Sequence, residues 1–199
     1  MLATLTGLGL STAAGLNAYI PMLVVGLLAR FTDVLRLPAE FGWLTNGWVL
    51  AGLAVLLAAE VVLDKIPAVD TVNDAVQTLV RPAAGGAVFA ATDAAERLDE
   101  RIAASSFMQE HAWIGWVLGI AAALAVHAVK ASARPLIDGG TFGLGAPVVS
   151  TVEDTASLGM SLLAILAPLV ALALLLLSAW TVVRLLRRRR RRVSGSAPT

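Results

Sequence analysis

Val69-Asp70-Thr71-Val72-Asn73-Asp74-Ala75-Val76-Gln77-Thr78-Leu79 is polar on one side and apolar on the other. Positions three and four apart are neighbours on a helix, so Asp70, Asn73, Asp74, Gln77 and Arg81 predict one polar face. The pattern returns eighty positions on as Val149-Ser150-Thr151-Val152-Glu153-Asp154-Thr155-Ala156-Ser157-Leu158. There Ser150, Glu153, Asp154, Ser157 and Ser161 take the corresponding face. Both stripes open long apolar segments. Acidic side chains are expensive at membrane depth and mark functional sites by default.

Working outward, the 199 residues are 58% hydrophobic and 15% charged. Soluble domains carry roughly 25% charged residues. Several apolar stretches approach the roughly 20 residues that cross the hydrocarbon layer. The expected fold is all-α: a polytopic transmembrane bundle of about five spans, with broken or re-entrant helices among them. It forms one membrane domain, 1–186, followed by a disordered basic tail, 187–199. The absence of cysteine excludes disulfide frameworks and thiolate metal sites.

The first span is expected from about Leu5 to Ala29, kinked at Pro21 with Asn17 just before the kink. The second runs from Trp48 to about Leu63, and Asp64-Lys65-Ile66-Pro67 leads into the third, Val69 to Ala91. Arg81-Pro82 and Gly85-Gly86 are expected to interrupt that helix. Leu98 and Ile102, within the charged stretch from Thr92 to Glu110, suggest a surface helix. The fourth span starts at Trp113 and ends near Ala133, before a Gly/Pro-rich loop, 134–147. The fifth carries the second stripe, passes Pro168 and enters the arginine run; a break at Gly159 is the alternative, making 148–159 a re-entrant half-helix.

Gly47-Trp48-Val49-Leu50 also returns, as Gly115-Trp116-Val117-Leu118. Together the two echoes predict a tandem duplication, 47–92 and 112–180. The arginine run places the C-terminus in the cytoplasm and, over five spans, the N-terminus outside. Both copies then run in the same direction. Glu60, Asp64, Lys65, the first turns from Asp70 onward, His127, Lys130, Arg134, Glu153 and Asp154 gather toward the outer surface. The stretch from Asp70 to Arg81 reaches roughly 18 Å inward at 1.5 Å per residue. The expected result is one mixed-charge cavity open to the outside.

Three segments resemble bacterial membrane proteins of the domain of unknown function 4126. They are Gly15-Leu16-Asn17-Ala18-Tyr19-Ile20-Pro21, Asp64-Lys65-Ile66-Pro67-x-x-Asp70 with Arg81-Pro82-x-x-Gly85, and His127-x-x-Lys130-Ala131-x-x-Arg134. The similarity spans about Leu5 to Leu175. It implies membrane topology and these positions, and no activity.

Asp74 and Asp154 match between the copies and are the leading candidates to bind a cation or exchange protons. Asn17, Glu60, Asp64, Lys65, Asp70, Asn73, Arg81, His127, Lys130, Arg134 and Glu153 complete the candidate site. Against this, Asp70 and Ser150 suit helix capping, and Glu60 with Lys130 or Asp64 with Lys65 suit plain ion pairs. Arg81 is expected to pair with Asp74 or Asp154. His127 fits a proton relay or ordinary packing. No metal-hydrolase spacing, phosphate loop or Ser-His-Asp set emerges, so neither an enzyme nor a cofactor is expected. Arg187 to Arg192 suit anionic lipid rather than nucleic acid. A slim bundle of this size is compatible with a homodimer. The leading expectation is a multi-pass cell-membrane transporter or channel for a cation or small polar solute. Phospholipid handling and a non-transporting assembly role are the alternatives.

Overall fold

The computed structural model describes residues 2–66, 69–99, 111, 113–141 and 145–194. Among them the side chains of Asp70, Thr71, 96–99, Pro135, Leu136, Asp138, Gly139, Val182 and 185–194 lie outside the description. The expectations for Asp70 as a ligand, for the amphipathic stretch past Asp99 and for lipid contact by Arg187–Arg192 therefore fall outside it.

The regular secondary structure among the described residues is all helical. The elements are α1 (Leu2–Leu16), α2 (Tyr19–Phe31), a 3-10 turn (Ala39–Thr45), α3 (Gly47–Leu63), α4 (Val69–Asp99), α5 (Trp113–Thr141), α6 (Ala146–Leu166) and α7 (Pro168–Ser194). Two stretches are long and apolar enough to cross a membrane, Trp113–Arg134 and Ala146–Leu166. The 3-10 turn with α3, bent by 56°, makes a third. That gives two to three candidate spans where the sequence predicts five. The polar stripe and charges of α4 take it out of the set, and α1 and α2 are each too short.

The first expected span is two helices. Asn17 ends α1, its N–H donating to the Ala13 carbonyl at 3.0 Å. Its Oδ1 then accepts the N–H groups of Tyr19 and Ile20 at 3.0 and 3.2 Å, capping α2. Pro21 lies in the first turn of α2, where its missing N–H costs nothing. The break thus precedes the proline instead of sitting on it. The chain also reverses there. Gly9 of α1 lies against Ala164, and Asn17 lies against Asp154, so α1 opposes α6. Leu10 and Val25 belong to one apolar core, so α2 returns beside α1.

α4 runs unbroken through Pro82, Gly85 and Gly86 to Asp99, contrary to the expected interruption. These glycines permit close approach instead. A Cβ on Gly85 would meet the Ala123 Cβ at 2.5 Å and the Gly119 carbonyl at 2.8 Å. Ser11 of α1 donates to the Gly85 carbonyl at 2.8 Å. α5 likewise continues past the expected loop start at Arg134 to Thr141. The last break falls at Ala167, before Pro168, and not at Gly159. A residue preceding proline is pushed out of the helical region, and Ala167 has φ −147° and ψ 67°. Beyond it α7 stays helical through Arg192, where the sequence suggests disorder.

α3–α4 and α5–α6 are two hairpins pointing the same way. Glu60 late in α3, Asp74 early in α4, Lys130 late in α5 and Glu153 early in α6 meet at one end.

Candidate functional site

At that end the bundle encloses ionisable side chains. Arg81 is fully buried. Its Nη2 donates to Glu60 Oε1 at 2.9 Å, and its Nη1 lies 3.4 Å from Asp74 Oδ1. Lys130 Nζ sits 3.0 Å from Glu153 Oε2, 3.6 Å from Asp64 Oδ2 and 3.7 Å from Asp74 Oδ1. Arg134 Nη2 donates to Glu153 Oε2 at 2.8 Å and to Asp64 Oδ2 at 3.2 Å, while its Nε lies 3.6 Å from Asp74 Oδ2. Asn73 donates to Asp64 Oδ1 at 2.6 Å. Every carboxylate and cation in this set is at most 12% exposed.

Helix periodicity explains the convergence. Glu60 on α3 and Asp64, the residue that caps its C-terminus, are one turn apart. Asp74, Gln77 and Arg81 line one stripe of α4, and His127, Lys130 and Arg134 one stripe of α5. Burying such charges is tolerable only with dense pairing. Among the described residues three basic groups face four carboxyl groups: Arg81, Lys130 and Arg134 against Glu60, Asp64, Asp74 and Glu153.

His127 has a defined place. Thr78 Oγ1 donates to the Asp74 carbonyl at 2.9 Å, so it accepts from His127 Nε2, also at 2.9 Å. His127 Nδ1 then accepts from Arg81 Nη1 at 3.0 Å. The ring is thereby held as the Nε2–H tautomer. Among the described residues no group of three or more His, Asp or Glu side chains is arranged to hold a metal ion.

The tip between α1 and α2 adjoins the cluster. The Leu16 carbonyl, at the negative end of α1, accepts from Lys130 at 3.3 Å. Asn17 Nδ2 donates to Asp154 Oδ1 at 2.9 Å.

The structure therefore splits the expected site. Glu60, Asp64, Asn73, Asp74, Arg81, His127, Lys130, Arg134 and Glu153 form one network. Asp154 stands apart with Asn17, so Glu153, not Asp154, is the spatial partner of Asp74. The expected pairs of Glu60 with Lys130 and Asp64 with Lys65 give way to those above, and of the two partners expected for Arg81 the structure gives Asp74. Lys65 donates to the Val61 carbonyl at 3.0 Å and borders a groove of about 690 Å³ lined by Pro147, Val148, Thr151, Val152, Thr155 and Ala156. Gln77, buried one turn before Arg81, also belongs to the network's surroundings. Its place on the polar face of α4 is the sequence signal for it. Among the described residues the side-chain oxygens Oε2 of Glu60 and Oε1 of Gln77 find no hydrogen-bond partner.

A model of the domain of unknown function DUF4126 matches residues 4–188. No curated protein and no solved structure matches the chain.

Proposed function

The chain belongs to the family of the domain of unknown function DUF4126, and we propose that it is a small integral membrane transporter coupled to ion movement through the buried charge network. One observation carries the reading: two short helices end head to tail at Asn17, inside the bundle, against that network. Helices interrupted within the bundle bring their polar ends to solute and ion in secondary transporters; here those ends engage Lys130 and the Asn17 side chain. Among the described residues the network holds four carboxylates and three cations, a balance suited to taking up one compensating positive charge in a low-dielectric setting.

In this reading α1–α2 is a re-entrant hairpin and α3 to α6 cross the bilayer. Arg30 and Arg36 lie at the end opposite the network, and that end faces the cytoplasm. The network then faces outward. The outside N-terminus expected from sequence rested on a single kinked first span. With the reversal at Asn17, the start of α1 falls on the cytoplasmic side. The arginine run contacts anionic lipid there.

The test is flux into proteoliposomes across a panel of ions and small polar solutes, with Asp74→Asn as the inactive control. Absence of flux for the whole panel removes the reading. A second reading, phospholipid handling, draws on Lys65 beside its largely apolar groove. It is narrowed by the fact that Arg81, Lys130 and Arg134 already engage carboxylates. Scrambling of labelled lipid in the same vesicles distinguishes the two.

A further inference from the structure

A cavity of about 380 Å³ lies between α2, α3 and α6, outside the charge network. That is within the size range of small-molecule sites, roughly 300–1,000 Å³. Ile20, Leu23 and Leu27 line one side, Leu57 and Leu158 the others, and Asp154 is its charged residue. Resting on the transporter reading, we infer that this cavity is the substrate seat and that it takes an amphiphilic organic monocation.

The charge argument comes first. Asp154 Oδ1 is held by the neutral Asn17 amide. Among the described residues no cation pairs with Asp154; the nearby cations are engaged by Glu60, Asp64, Asp74 and Glu153. A carboxylate facing aliphatic walls with one amide partner is under-compensated, and a positive ligand relieves it. The wall supplies the second argument. Thr155, its remaining polar side chain, donates its hydroxyl to the Thr151 carbonyl at 2.7 Å. Among the described lining residues an anion or a sugar finds no free donor, whereas an apolar body finds six aliphatic side chains, Val24 among them. One positive centre on a hydrocarbon or aromatic frame satisfies both parts.

The position adds a mechanism. Asn17 joins the seat to the tip of α1–α2, and Leu16, the preceding residue, joins the same tip to Lys130. A cation at Asp154 competes for the carboxylate that Asn17 holds, so occupancy is sensed at the tip and passed to the network.

The experiment measures equilibrium binding of radiolabelled benzyltrimethylammonium to the purified full chain in detergent by scintillation proximity. Its uncharged carbon analogue, neopentylbenzene, serves as competitor. Saturable binding is expected, weakened about tenfold or more by Asp154→Asn, in line with loss of a charge-assisted contact. Leu57→Trp, which fills the cavity from α3, is expected to weaken it as well, and Val129→Ala, at an exposed position of α5 outside both the cavity and the network, to leave it intact. Should Asp154→Asn fail to fold, Leu57→Trp reads the same cavity alone. No saturable binding, equal binding by both cavity variants, or equal displacement by neopentylbenzene overturns the inference. Binding without flux in any vesicle assay removes the transporter reading and keeps the seat. Flux without cation binding removes the seat alone.

Discussion

Asn17 Nδ2 lies 2.9 Å from Asp154 Oδ1, so the turn between α1 and α2 is tied to the middle of α6 across 137 positions of sequence. The same Asn17 side chain caps α2 through its oxygen. One residue therefore ends one helix, starts the next and fixes where both sit.

Asn17→Ala removes the cap and the donor together. Loss of a cap costs about 1 kcal/mol, and the stranded Asp154 adds a similar amount. A drop of several degrees in unfolding temperature is expected, read by thermal denaturation in detergent. An unchanged midpoint would show that the tip needs neither bond.

Arg81→Met leaves buried Glu60 without its 2.9 Å partner and weakens the holding of Asp74. Breaking one side of a buried pair costs about 3–5 kcal/mol. Adding Glu60→Gln to the same chain is expected to restore part of that stability in denaturant titration. Additive effects of the two substitutions would mean that the pair is not coupled.

Gly85→Ala sets a methyl group against Ala123 and the Gly119 carbonyl. Forcing α4 from α5 costs about 1–3 kcal/mol. Gly159→Ala is the control: nothing lies within 4 Å of its added Cβ. That exchange is expected to stabilise α6 by up to about 1 kcal/mol, since glycine disfavours a helix interior. Comparison of the two unfolding midpoints checks the sign of each.

Lys130→Met removes the cation shared by Asp64, Asp74 and Glu153. Ion-coupled flux in proteoliposomes is expected to fall more than about tenfold, given three buried carboxylates left with fewer partners. Lys65→Met is expected to leave flux unchanged, since Lys65 contacts only the Val61 carbonyl in the described structure. The reverse ranking would favour lipid handling.

The membership of the network was legible because helix spacing is arithmetic: Asp74 and Arg81, or His127, Lys130 and Arg134, must share a face. Its pairing was not. Glu153 and Asp154 are neighbours in sequence, but about 100° apart around α6, and the register of the repeat selected the wrong one to face Asp74. The reversal at Asn17 was hidden for a related reason. Pro21 is the louder signal, yet a proline in a first turn is harmless, and the cap that defines the break lies upstream. Pro82 misled in the opposite direction, since packing of α4 on α1 and α5 keeps that helix intact. Ser157 donating to the Ala13 carbonyl at 2.9 Å is a contact that no local pattern announces.

Of the seventeen residues of α3 only Leu50, Leu53 and Glu60 are buried. Most of its surface already suits acyl chains, so leaving the bundle would expose little that lipid does not solvate. Glu60 through Arg81, and Asp64 through Lys130 and Arg134, then act as an electrical latch that keeps the network end of this helix shut against its neighbours. Cancelling both charges would let α3 swing as a door, hinged at Leu50 and Leu53.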